Sequence, residues 1–379
     1  MNTMNRLRHI AAAAWLATGM ACAADPTRTA DGFAIPQPGR AFEFPRDHGS
    51  HPDFKIEWWY VTGHLESEGG RRFGFQATFF RNAGPVPNPA APTNAFGHAP
   101  IHLAHVALLD TKTGRFFHQS RINRAGWDAD AARDTLAVRN GNWSLRLADA
   151  RSGRMELSGN IAGDASFRLA LAPTKPLVVF GTNGVSRKGA DPAAASHYLT
   201  FPRLEARGTV VVGTEPTAVT GLAWMDHEIG SSQLDAGQAG WDWACIQLDD
   251  GRDLMAYRMR RSDGTTDAHS TLAWIARDGG VRHFGPSEFG WEARGHWTSP
   301  ATGARYPNHV RVRAPGVDGA PAAEFFLSPL AEAQELTDPL GGVAYWEGAC
   351  RVLDASGKPV GRAYLELAGY VGGLAERFK

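Results

Sequence analysis

Apolar and polar residues alternate along this chain in short runs, the period of two that belongs to strands. The three-to-four spacing of an amphipathic helix is almost absent. Read this way, the first half carries strands over 56–65, 72–80, 101–109, 115–121, 143–147, 167–171, 207–212 and 218–226. A second series covers 241–248, 253–260, 271–275, 309–313, 324–327, 344–353 and 361–368. Glycine-bearing turn signals such as Lys112-Thr113-Gly114 and Ala355-Ser356-Gly357 separate the runs, as hairpin connections require. One short helical turn is expected at 330–336 and a Pro/Ala/Asn-rich excursion at 85–92. The polar, glycine-rich stretch 230–240 divides the two series. The pattern predicts an all-β chain of two units, 45–232 and 233–379, each a sandwich or barrel.

A length of 379 residues agrees with two units at roughly 100–200 residues each. Lys plus Arg equal Asp plus Glu, at 39 each, so the chain carries no electrostatic footprint for nucleic acid or an anionic membrane surface. The N-terminus changes the picture more. Arg6, Arg8 and His9 precede an apolar run from Ile10 to Met20, and Ala21-Cys22-Ala23 forms an A-x-A cleavage site, so 1–24 reads as a signal peptide. The run is shorter than the roughly 20 residues a membrane-spanning helix needs. The expected mature chain starts near Ala24, has no transmembrane segment, and lives in a periplasm or outside the cell. Lipid anchoring at Cys22 is the lesser alternative, because the leucine usual three positions before such a cysteine is missing. Cys245 and Cys350 then remain, and sequence does not fix whether they pair.

Two strands carry ionisable groups in an apolar setting: Glu57-Trp58-Trp59-Tyr60-Val61-Thr62-Gly63-His64 and Leu222-Ala223-Trp224-Met225-Asp226-His227-Glu228. An unpaired buried charge costs several kcal/mol. These groups therefore either satisfy one another or line a cavity in which an acid works. Alternation puts Trp58, Tyr60, Thr62 and His64 on one face, with Glu57, Trp59 and Val61 on the other. Leu222, Trp224, Asp226 and Glu228 likewise share a face. Asp226 beside Trp224 is a carboxyl group that burial would keep neutral, as general acid catalysis requires. His197, in Ser196-His197-Tyr198-Leu199, is a candidate neighbour for it. The twelve tryptophans either fill two cores or line an aromatic pocket.

Other chemistries find little support. His98, His102 and His105 would not chelate together, since strand residues three apart face opposite ways, and the sequence has neither H-E-x-x-H nor a cysteine pair at zinc spacing. It also lacks G-x-S-x-G, a P-loop and G-x-G-x-x-G. No metal and no cofactor is predicted.

Glu57-Trp58-Trp59-Tyr60 with Gly63-His64, the His102-Leu103-Ala104-His105 run, and Trp224-Met225-Asp226-His227-Glu228-Ile229-Gly230-Ser231 followed by Gly240-Trp241-Asp242-Trp243 resemble the carotenoid 1,2-hydratase-like proteins, over roughly 45–375. That group includes exported bacterial proteins labelled secreted hydrolases. The resemblance implies two consecutive lipocalin-like antiparallel β-barrels. It also implies a His-x-Trp pair and a Tyr-x-Asp pair around an acid that protonates an isoprenoid double bond, after which water adds to the cation. On this alignment the histidine is His197 and the acid Asp226, while Leu199 stands at the tryptophan position and Trp224 at the tyrosine position.

The expected site thus comprises Asp226 and His197 as catalytic residues, with Trp58, Tyr60, His64, Trp224, Leu199, Trp241 and Trp243 around a hydrophobic ligand held in a barrel. Three functions compete: a hydro-lyase, a non-catalytic lipid carrier or accessory factor working with an envelope transport system, and a hydrolase for which no nucleophile motif speaks.

Overall fold

The computed structural model describes residues 27–84, 99–337, 344–372 and 374. The expected signal peptide with Cys22, the expected 85–92 excursion and His98 lie outside them. The first sheet contains β1 (Ile56–Glu66), β2 (Arg72–Asn82), β3 (Ile101–Asp110), β4 (Arg115–Arg124), β5 (Ala129–Ala131), β6 (Ala137–Asn140) and β7 (Trp143–Asp149). It continues with β8 (Arg154–Ile161), β9 (Ala165–Pro173), β10 (Val178–Phe180), β11 (Ser186–Arg187), β12 (Ala195–Val212) and β13 (Glu215–Ser232). The second sheet contains β14 (Gln238–Leu248), β15 (Asp253–Arg261), β16 (Thr271–Ile275), β17 (Val281–Phe284), β18 (Gly290–Thr298), β19 (Arg305–Ala314), β20 (Ala323–Pro329), β21 (Glu335–Leu336), β22 (Tyr345–Leu353) and β23 (Pro359–Ala368).

Both sheets are antiparallel and curl into lipocalin-like barrels. In the first the order is β4-β3-β2-β1-β13-β12-β9-β8-β7-β6-β5, with β10 and β11 added beside β12. Its two ends meet where the amide of Asn123 donates to Asn140 Oδ1 at 2.7 Å and Arg121 donates to the Asn140 carbonyl at 3.1 Å. In the second the order is β17-β16-β15-β14-β23-β22-β20-β19-β18. Every strand expected from the alternation lies within an observed one, except that the run expected at 344–353 begins one residue ahead of β22. Gly114 and Gly357 turn their hairpins at φ of 69° and 83°, a conformation that costs glycine little.

The helix expected at 330–336 does not form. The amide of Leu330 donates to the Ala349 carbonyl, and Glu335–Leu336 pairs with β22 as a short strand. The edge of β22 offers this segment better partners than a single isolated turn would. Among the described residues the helical element is one 3-10 turn, Arg46–His48.

Alternation along β1 and β13 creates three apolar layers rather than two. Trp59, Val61, Phe75 and Met225 fill the first barrel with Trp143 and Phe167. Trp274, Tyr306, Trp346 and Val352 fill the second. The third layer, with Tyr60, Trp224, Trp243, Tyr345 and Tyr364, lies in the seam where the outer faces of the two sheets pack together. Each such large side chain removed from water contributes about 1.5–3 kcal/mol. Approach across the seam is close: a Cβ at Gly74 on β2 would sit 2.5 Å from the Ala349 Cβ on β22. Asp253 at the start of β15 clasps the first unit, bound by Lys175 at 2.5 Å and Arg203 at 2.6 Å. Cys245 faces the seam and Cys350 the second barrel's core, so opposite faces of one sheet hold them apart as free thiols.

Candidate functional site in the seam between the barrels

Trp224, Asp226 and Glu228 leave β13 on the seam side. Their register partners Thr62, Tyr60 and Trp58 on β1, and Thr200 opposite Asp226 and Tyr198 opposite Glu228 on β12, face the same way. Opposite them, β14 and β23 present Trp241, Trp243 and Glu366. A narrow, partly enclosed cavity remains between the two walls. Ligand pockets of this aromatic kind orient their contents with a few convergent polar groups.

Asp226 is one of these groups. Its Oδ2 accepts from the Tyr198 hydroxyl at 2.7 Å, and its Oδ1 accepts from Thr200 Oγ1 at 2.6 Å and Trp224 Nε1 at 2.7 Å. The Tyr198 oxygen accepts in turn from Trp243 Nε1 at 3.0 Å, so the second barrel reaches the acid through one phenol. Burial pushes the Asp226 carboxyl up to about 7, with the donors holding back part of the rise and Glu228 adding to it. Glu366 stands across the cavity and accepts from Trp241 Nε1 at 3.0 Å. Burial pushes it up to about 8.

Lys188, just after β11, approaches Glu228 Oε2 at 3.2 Å and lies over the Tyr198 and Tyr257 rings at 4.6 and 4.2 Å. Burial opposes its charge, but Glu228, Tyr257 and Asp226 together more than offset that and hold the amine above the usual lysine range. Deeper in the seam, Tyr60 donates to Glu347 Oε1 at 2.5 Å, and burial holds Glu347 well above the carboxylate range. The arrangement therefore keeps carboxyl protons available near neutral pH beside aromatic faces able to stabilise a cation.

Asp226, Trp58, Tyr60, Trp241 and Trp243 thus come together. Trp224 sits behind the cavity wall as a donor to Asp226. Three expected residues do not join them. His197 and Leu199 pair with Ile229 and His227, so alternation points them away from Asp226. The His197 ring lies edge-on to Phe42 and Phe54, its Nδ1 is 2.8 Å from the Gly184 carbonyl, and burial lowers its pKa. Leu199 packs with Phe54 and Ile229. His64 does face the seam, but four residues along β1 from Tyr60, roughly 13 Å on. There its Nε2 meets the Ala363 carbonyl at 2.8 Å beside a separate polar cavity. The cavity itself also lies elsewhere than expected: both barrel interiors are filled by side chains, and the open space is between them.

Tyr198, Lys188 and Glu366 escaped the sequence reading. Tyr198 supplies the phenol that Trp224 lacks, from the neighbouring strand. Glu366, in Tyr364-Leu365-Glu366-Leu367, carries the signal that singled out Asp226, an acid in an apolar strand. Lys188 lies in a loop with no pattern to mark it.

A second buried cluster occupies the opposite face of the same strands. Glu57 Oε1 is 2.7 Å from His51 Nδ1 and 2.9 Å from His227 Nε2, while Arg81 Nε donates to Oε2 at 3.0 Å. His51 Nε2 is 2.8 Å from Asp47, which Arg40 and Arg46 each approach at 2.9 Å. His51, Glu57 and His227 have ligand atoms close enough to hold a metal ion. Three arginines and a ring whose two nitrogens both face carboxylates make it a closed ion network instead.

No curated protein matches this chain. A crystal structure described as an AttH of Nitrosomonas europaea has a TM-score of 0.78 at 38% identity, covering 90% of this chain and 100% of that one. Kievitone hydratase of Nectria haematococca has a TM-score of 0.63 at 15% identity, covering 90% of this chain and 95% of that one, a likeness of fold. A family model described as AttH-like matches residues 35–370, and the chain belongs to the AttH-like family.

Proposed function

We propose that this protein is a hydratase-type enzyme that adds water to a carbon–carbon double bond of an isoprenoid- or lipid-like substrate, outside the cytoplasm, with Asp226 as the group through which protons move. The observation that carries this reading is the Asp226 carboxyl: buried, lifted to about 7, and fixed by Tyr198, Thr200 and Trp224 at the wall of an aromatic cavity. Protonation of an alkene needs a neutral acid in a dry site. The tertiary cation that results is then stabilised by ring faces such as Trp58, Trp241 and Trp243 before water captures it. A hydratase among the proteins of the same fold supports the reaction class; carotenoid as the substrate remains one case within it.

The test uses the purified protein, a lipid extract of its own host, and water enriched in heavy oxygen. A compound gaining one labelled water with the wild type, and not with Asp226→Asn, is the expected result. Tight binding of an apolar compound with no label uptake by the wild type would replace this reading with that of a carrier.

A further inference from the structure

Three carboxyl groups line the cavity; Glu228 is paired with Lys188, and the other two, Asp226 and Glu366, come from different barrels and have different surroundings. Asp226 is only 3% exposed, and three donors reach its two oxygens, two on Oδ1 and one on Oδ2; they favour the ionised form, and Oδ2 keeps a lone-pair site that can take up a proton. Glu366 is half-buried on the opposite wall and receives one donor, Trp241 Nε1 on Oε1. Its second oxygen has room for a proton that can reach a ligand. Lys188, the cation at the cavity wall, lies 3.2 Å from Glu228, so it does not neutralise a second negative charge there. The titratable groups around Glu366 are Asp226 and Glu228 on β13, Lys188 beyond β11, Tyr60 on β1, and Tyr345 and Glu347 on β22. Asp226 and Glu228 disfavour a further anion in the same space and Lys188 offsets them only in part, while the phenols Tyr60 and Tyr345 and the protonated Glu347 are neutral.

We infer that Glu366 is a further catalytic residue, the proton donor, and that Asp226 is the base that takes a proton back, so the reaction needs a wall from each barrel. This rests on the hydration reading and refines it. The Glu366 O–H bond breaks as its proton bonds to the less substituted alkene carbon, using the π electrons and leaving a tertiary cation next door. A water lone pair forms the C–O bond, and the proton released from that oxygen goes to the Asp226 carboxylate. Return of a proton from Asp226 to Glu366 resets the site, with no net oxidation or reduction.

The first step can be tested without knowing the substrate, using diphenyldiazomethane on the wild-type protein at neutral pH. A protonated carboxyl transfers its proton to the diazo carbon, dinitrogen leaves with the C–N electron pair, and the carboxylate oxygen bonds the carbon. The product is an ester that peptide mass spectrometry locates. The expected result is an ester on Glu366, kept in Asp226→Asn and lost in Glu366→Gln. An ester on Asp226 instead, or on neither residue, overturns the assignment. The wild-type result decides the matter even should a variant fold poorly. Labelling also needs no turnover: an ester on Glu366 in a protein that takes up no heavy oxygen would sink hydration while leaving Glu366 the acid of the cavity.

Discussion

Asp226 and His227 are adjacent in the chain, yet they serve two buried clusters with opposite balances of charge. On the inner side, Glu57 and Asp47 face His51, His227, Arg81, Arg40 and Arg46, so each carboxylate has several cationic or hydrogen-bonding partners. On the seam side, among the described residues, Asp226, Glu228 and Glu366 share one nearby cation, Lys188, and Glu347 lies beside Glu366 and the Tyr60 hydroxyl. Burial acts on both sets, but only the inner one repays it. Asp47 is held down at about 2 and Glu57 well below the carboxylate range, whereas Asp226 and Glu366 rise to about 7 and 8. Burial alone therefore does not mark the site. An excess of carboxyls over partners does, because it leaves protons that can be given away.

The sharpest way to break this comparison is to remove one acid from each side. Asp226→Asn should lower turnover by about 10²–10⁴-fold, the usual contribution of a positioned proton-transfer group, in a heavy-oxygen uptake assay. It should leave the fold intact. Glu57→Gln should do the reverse, costing about 3–5 kcal/mol in urea unfolding, because it leaves buried cations without their counter-charge. A Glu57 variant as stable as the wild type would dissolve the distinction between the clusters.

The pH dependence of stability should differ in sign too. Asp226 binds its proton more tightly in the folded state, so its contribution is fully present below about pH 4 and is lost as pH rises toward 7. Asp47 and Glu57 hold theirs more weakly when folded, so their contribution is present above about pH 4 and lost as pH falls toward 2. Urea titrations should therefore show the wild type losing stability from about pH 4 to 7 relative to Asp226→Asn, and Glu57→Gln flattening the acid limb.

Much of this was legible in the strands themselves. Period-two alternation located β1, β13, β14 and β23 and correctly split Trp58 and Tyr60 from Glu57 and Trp59, since faces follow from parity alone. It did not reveal what each face meets. Nothing in the spacing of His197 and Asp226 states that β12 pairs with β13 so that Tyr198 and Thr200, not His197, stand beside the acid. The seam was hidden for the same reason: an outward face packed on a second barrel has the composition of an inward one. Lys188 reaches the cavity from a loop, where neither parity nor spacing constrains a side chain.

A smaller perturbation separates the clusters by place. Gly74→Val would drive a side chain into Ala349 across the seam, and overpacking of this kind costs about 1–3 kcal/mol. Binding of an apolar fluorescent probe in the cavity should weaken, while the acid limb set by Glu57 and Asp47 stays where it is. If both move together, the inner network depends on the seam and the two clusters are one unit.

The finest test removes one oxygen. Tyr198→Phe deletes the hydroxyl that donates to Asp226 Oδ2 and accepts from Trp243. A hydrogen bond to a charged group is worth about 1.5–3 kcal/mol, and each 1.4 kcal/mol is one pH unit in a carboxyl's titration. The loss falls on the ionised form, so Asp226 should titrate about one to two units higher. The limb of the pH–rate profile on which Asp226 must be ionised should move up in pH by that amount, and unfolding in urea should become easier by about 1–3 kcal/mol, because Trp243 Nε1 loses its acceptor. A shift down, or a large loss of stability with the profile unmoved, would mean that Tyr198 braces the seam and does not tune the acid. The excess of carboxyls would then have to set the site's proton affinity without the phenol's help.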